Sequence, residues 1–304
     1  MWLAAALVIA QVGWPPSSAG RPRECSERSG HAPNVWERAK SPELRRYCDL
    51  VASASSKLAG TSAMAEAALL AAREADGVLG GHGAPKALEG RALASLGRLG
   101  DALVALKDAQ SRDGQVFDDP PTLLAWARVL ARTGHADQAR EAYRALLPRA
   151  GVLPSAERAA AATEAGLVAM SCGPAGLDDA AASLRDAMRE AQDDTAPVAA
   201  LGLALALDRR GQTSEAHAVL VDRARLLLPS DPAAGLATSR ARELLSVAPD
   251  ERDALVALAT EATNPARARG AWLAIVASNP AGPWAAHARM HLAALGDKHS
   301  RGTP

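Results

Sequence analysis

The chain carries no excess charge of either sign: Lys+Arg and Asp+Glu both number 34 in 304 residues. Proteins that hold nucleic acid usually need a basic surplus to neutralise phosphates, so nucleic acid is not expected as a partner. Aromatic residues make up 3% of the chain. Val and Ile are few, and no run alternates apolar and polar residues as a half-buried strand does, so a sheet is not expected. Of the three cysteines, Cys25, Cys48 and Cys172, no two have the C-x-x-C spacing of a zinc or redox motif. Neither a G-x-S-x-G element nor a local Cys–His signature is present. Their absence argues against an enzyme, and no cofactor is expected. The apolar run Trp2 to Val12 is too short to span a bilayer.

What is plentiful is alanine, the best helix former, and it recurs with a period. Gly60 precedes Ala65 by five residues; Gly97 and Ala102, Gly134 and Ala139, and Gly211 and Ala216 repeat that offset. From Ala65 to Ala102 and from Ala102 to Ala139 the step is 37. The following step, to Ala216, fits two units with a degenerate one near Ala180. A fixed period in this range marks a repeat architecture. Apolar residues flank each glycine at helical spacing: Leu93 and Leu96 before Gly97, then Ala102, Leu103 and Leu106. Leu201, Ala204 and Leu207 before Gly211 are followed by Ala216 and Leu220. Each glycine sits where a first helix must end, because glycine takes the left-handed backbone state at little cost. The small side chain five residues later would let two helices cross closely.

This pattern resembles the tetratricopeptide repeat. Leu123, Trp126, Ala127, Leu130, Gly134, Ala139, Tyr143 and Leu146 fall on that family's alternation of large and small positions, and Ala268, Trp272, Ile275 and Pro280 do so again near the C-terminus. The resemblance implies an all-α, right-handed α-solenoid of stacked antiparallel helix pairs over residues 43–295. About five to six repeats are expected, closed by a capping helix at 282–295 in which Trp284, Ala288 and His291 take first-helix positions. Three departures are visible: the units run longer than the family's, the turn at 171–179 is stretched, and 232–247 reads as one extra helix. Residues 20–42 are expected to be a linker and 296–304 a disordered tail.

The start of the chain reads as a signal peptide over 1–19. Its apolar core is followed by Ser17, Ser18 and Ala19, small residues that place cleavage before Gly20, although no Lys or Arg precedes Arg21. A periplasmic or secreted protein is expected, with no membrane span left after cleavage. In an oxidising compartment Cys25 and Cys48 could pair and pin the N-terminal segment to the first helix, leaving Cys172 over; the alternative is three free thiols.

Several candidate sites are set aside. His287 and His291 have the four-residue spacing of an H-E-x-x-H zinc helix, but Ala288 stands where the glutamate belongs and no third ligand is evident, so no metal is expected. The stretch 80–86 lacks the G-x-x-x-x-G-K order of a phosphate loop. Residues 113–121 lack a calcium-loop pattern and read as a linker between units.

First helices of stacked repeats line a concave face, the usual partner site of a solenoid. In repeat register the residues facing it are Arg91, Arg128, Leu205 and Arg289, with Arg132 one turn beyond Arg128. The planar guanidinium fork suits carboxylates, so the groove could take an acidic peptide or a chain-terminal carboxylate. The alternative is that these arginines pair with neighbouring acids. The expected function is a non-enzymatic, exported protein-interaction scaffold; the alternative is an accessory or regulatory subunit of an enzyme or assembly complex.

Overall fold

The computed structural model describes Cys25 and residues 41–59, 62–192, 194–224, 236–282 and 284–300. The signal-peptide expectation, most of the linker and Gly60 lie outside them. Among the described residues every regular element is helical. Ten α-helices form five successive antiparallel pairs: α1 (Pro42–Leu58) with α2 (Ala65–Val78), α3 (Gly83–Ser95) with α4 (Leu99–Arg112), α5 (Pro120–Arg132) with α6 (Ala136–Leu146), α7 (Ser155–Ser171) with α8 (Leu177–Glu190), and α9 (Thr195–Arg209) with α10 (Thr213–Val219). A π-turn, Leu220–Ala224, continues α10. A short helix α11 (Ser239–Leu245), a sixth pair α12 (Glu251–Thr263) and α13 (Pro265–Ser278), and a closing helix α14 (Ala285–Ser300) follow. The expected solenoid of stacked helix pairs with a closing helix is what the chain forms.

The turns repeat atom for atom. Gly97, Gly134 and Gly211 hold φ of +74°, +81° and +77°. The amide after each donates to the carbonyl five residues back: Arg98 to Leu93, His135 to Leu130 and Gln212 to Leu207, all at 2.9 Å. This closes the orphan carbonyls of a helix end. Gly173, φ +78°, completes the series, giving intervals of 37, 39 and 38 residues. The stretch at 171–179 is a 3₁₀ turn, Pro174–Gly176, inserted between Gly173 and α8. The stretch 113–121 links two units as expected, through a second such turn, Gly114–Asp118. Asp119 follows as the N-cap of α5 and accepts from the Thr122 amide at 3.2 Å.

The alanines at the crossings are buried: Ala65, Ala102, Ala139, Ala216 and Ala268 are each no more than 2% exposed. Leu106, Tyr143 and Trp272, one turn later, are buried beside them. Close approaches of the two helices of a pair also lie seven residues before the turn glycine. A Cβ on Gly90 would come within 2.5 Å of Leu106 Cγ, and one on Gly166 within 2.4 Å of Leu184 Cγ. Only glycine fits there; the matching position in the α5–α6 pair is Ala127, fully buried.

Two features depart from a uniform array. Helix α9 is buried on every face from Pro197 to Asp208, as a helix apolar all round must be. Leu205 is fully buried and does not face a groove. The reason is that α11 and α12 pack onto α9, and α11 also reaches α7. The extra helix read within 232–247 thus lies against the first helices of two units, its Ala241, Leu244 and Leu245 buried. The closing helix also runs on to Ser300, where a disordered tail was expected from 296. Polar residues without proline do not stop a helix that packing has already nucleated.

Candidate functional site

Among the described residues, two buried polar networks and an open cleft beside the α5–α6 pair are candidate places for chemistry or recognition. The first network occupies the seam between α5 and α7. Arg128 Nε donates to Glu164 Oε2 at 2.8 Å and its NH2 to Glu157 at 3.2 Å. Tyr143, on α6, donates its hydroxyl to the same Glu164 oxygen at 3.1 Å. Glu164 is fully buried, so it needs its two donors, Arg128 Nε and the Tyr143 hydroxyl, to offset its lost hydration. Burial opposes the charge on Arg128, but the Glu164 and Glu157 carboxylates outweigh it and hold the guanidinium above its ordinary value. Burial, together with the Glu164 charge, pushes the Tyr143 phenol well up.

Two of the four arginines expected to line an open groove, Arg91 and Arg128, are therefore engaged inside the protein. Arg128 is spent on the seam. Arg91 lies 3.3 Å from Asp119, the cap of α5, and burial lowers its pKa despite that partner. The physical reason is the stacking: the first helix of the next unit brings Asp119 within reach of Arg91 and Glu157 and Glu164 within reach of Arg128, and a largely buried guanidinium takes them. Arg132 keeps a buried Nε without a hydrogen bond. Arg289 is exposed and donates to the Pro280 carbonyl at 2.8 Å.

The second network closes the C-terminal end. Asp208 projects from the last turn of α9 towards His287 and His291 on α14. His291 Nε2 is 2.8 Å and His287 Nε2 is 2.9 Å from the same oxygen, Asp208 Oδ2. The first is a hydrogen bond. The second is out of line, which leaves the buried His287 Nε2 without a hydrogen-bond partner. On its other side His291 Nδ1 lies 2.8 Å from Glu261 Oε2, an oxygen that also accepts from Trp272 Nε1 at 2.9 Å. The Trp272 and His291 rings stack at 4.4 Å between centroids. Burial opposes the charges here too, yet the two histidines hold Asp208 well below the usual carboxylate range. Likewise Asp208 and Glu261 overcome burial and raise His291 to about 9. Arg209 lies over the Trp284 ring at 4.4 Å. Burial raises the nearby Glu251 to about 8.

In the sequence His287 and His291 stand without an evident third ligand. Asp208 is that group: one ligand atom from each of the three residues lies within 4.8 Å of the others. Nothing local signals the meeting, because 83 residues separate Asp208 from His291. The disulfide candidates meet as well. Cys25 and Cys48 are bonded, and Cys172 is a free, partly buried thiol that burial raises to about 11.

The cleft opens beside the α5–α6 pair. Phe117, Leu123 and Trp126 floor it, and Gln110, Asp137, Gln138 and Glu141 stand at its rim. The two aromatic rings lean on each other at 5.5 Å, half-buried and open to solvent on one side. Among the described residues no helix is long and apolar enough to cross a membrane.

No family model matches the chain, and no curated protein matches it. Among solved structures, it is similar to a chain of Naa15/Naa10 bound to HypK-THB, at 14% identity and a TM-score of 0.39, over 84% of this chain and 39% of that one. It is also similar to a chain of the APC/C hetero-tetramer Cut9-Hcn1, at 16% identity and a TM-score of 0.38, over 83% of this chain and 48% of the other. This chain thus spans less than half the length of either.

Proposed function

We propose that this protein is a non-enzymatic scaffold, exported from the cytoplasm, that binds a partner polypeptide on its stacked helix pairs. The observation that carries the reading is the cleft of Phe117, Leu123 and Trp126. An apolar, partly aromatic floor with polar groups at its edge is the usual make-up of an anchor site. With Asp137 and Glu141 at the rim, a partner segment with an apolar anchor and a basic neighbour fits better than an acidic one. The engagement of Arg91 and Arg128 points the same way, and leaves Arg132 and Arg289 as the arginines through which an acidic partner would have to act. Export is supported by the Cys25–Cys48 bond, since disulfides persist in oxidising compartments.

Affinity capture from the native cell with the wild-type chain and with Trp126→Ala tests the reading. A protein captured by the wild type and lost with Trp126→Ala supports it, provided the two melt alike. Equal capture would move recognition away from the cleft. Arg128→Glu is expected to lose the partner only as far as it loses the fold. N-terminal sequencing of the mature protein is expected to begin at Gly20; a start at Met1 would remove the export part.

A further inference from the structure

We propose that Asp208, His287 and His291 form a binding site for a divalent transition-metal ion of the zinc class, with Glu261 as the outer carboxylate that orients His291. The site is independent of the partner cleft, and it rests on geometry. Three donor atoms from α9 and α14 converge in the buried C-terminal end, mutually within 4.8 Å. Tetrahedral zinc holds nitrogen and oxygen donors at about 2.0–2.2 Å, which places two donors about 3.3–3.5 Å apart. The two separations from Asp208 Oδ2, 2.8 and 2.9 Å, would open by about half an ångström around such an ion.

A proton network alone does not account for what is there. One imidazole between Asp208 and Glu261 would bridge the two carboxylates, and His291 already does so. The second imidazole, His287, is 8% exposed and brings its Nε2 to the same point without gaining a hydrogen bond. A buried nitrogen whose hydrogen bond is out of line is poorly satisfied, and coordination would satisfy it. The surroundings also match how metal-binding histidines are held. His291 Nδ1 faces Glu261, so once an ion displaces the Nε2 proton the remaining proton stays on Nδ1 and Nε2 is free to coordinate; Glu261 is itself fixed by Trp272. Two imidazoles and one carboxylate suit zinc, cobalt, nickel or iron rather than calcium or magnesium, which take oxygen ligands. Three protein ligands leave one tetrahedral position for water or a small anion. Binding would release the proton shared among these groups and tie α14 to α9.

The test uses the full oxidised chain, stripped with a chelator and titrated with cobalt(II), then with zinc. The expected result is one cobalt per chain with the visible absorption of a four- or five-coordinate ion, its displacement by zinc, and a rise in melting temperature. Asp208→Asn, nearly isosteric, is expected to abolish the cobalt spectrum while the apo-protein keeps its helical circular dichroism. Glu261→Gln should weaken binding by about 10–100-fold. Cys172→Ser should leave it unchanged. Wild-type protein that binds no more cobalt than His287→Ala/His291→Ala would overturn the proposal. So would binding undiminished in Asp208→Asn, or binding lost in Cys172→Ser.

Discussion

One methyl group is enough to probe the helix crossings. At Gly166 an added Cβ would sit 2.4 Å from Leu184 Cγ, and Leu184 is fully buried with nowhere to retreat. Gly166→Ala is therefore expected to destabilise by about 1–3 kcal/mol even though alanine is the better helix former. A urea midpoint equal to or above that of the wild type would contradict it. Ala139→Leu should be worse, because it asks a fully buried crossing to accept three more carbons; an unchanged melting curve would refute the packing described. These two sites differ in how readable they are. Ala139 stands out because its offset from Gly134 recurs along the chain. Gly166 hides, because its unit has a 3₁₀ turn between Gly173 and α8 that breaks the glycine-to-alanine count. The signal that would have found it, and Gly90 with it, is a small residue seven positions before each turn glycine.

Between units, ion pairs add to an apolar core that runs through successive pairs. Arg112 and Asp76, Arg128 and Glu164, and Arg144 and Asp179 are ion pairs spanning 36, 36 and 35 residues, about one repeat each. The exposed ones contribute little, but Glu164 is fully buried. Glu164→Gln leaves Arg128 inside without its main countercharge and is expected to cost about 3–5 kcal/mol, read as a lower urea midpoint. No spacing argument could have chosen between an arginine kept for a partner and one taken by a neighbour, since that depends on which acid the stacking brings alongside.

The terminal pair makes a pH prediction. Glu251 rises from 4.5 to about 8 because it is buried, with Asp250 adding to the shift and Arg209 opposing it. His291 rises from 6.5 to about 9. Both bind a proton more tightly folded than unfolded. Their contributions are complete below about 4.5 and 6.5 and are lost as pH climbs through about 8 and 9. In metal-free buffer, stability should fall from mildly acidic to alkaline pH. In Glu251→Gln the decline should be confined to the upper part of that window, where His291 titrates. Thermal melts across the range check it, and a wild-type curve that rises with pH would contradict the assignment.

For the molecule as a whole, the N-terminal anchor is the Cys25–Cys48 bond, whose partners lie 23 residues apart. Closing a loop of that size restricts the unfolded chain by about 3 kcal/mol on chain-entropy grounds. Reduction, or Cys48→Ser, should lower the melting temperature, and equal melts with and without reductant would show that the bond is not formed in solution. The solenoid and its turns were readable in the sequence because they repeat. The C-terminal closure was not, since α9, α12 and α14 each carry one part of it and no period connects them.

That closure bears on how the array comes apart. A stack whose members touch only their neighbours can fray from either end, one unit at a time. Here the last rod is clasped to one that precedes it by some eighty residues, so the three final segments and the fifth pair must loosen together. Trimming the chain after Ala281 would then unseat α9 rather than merely shorten the row.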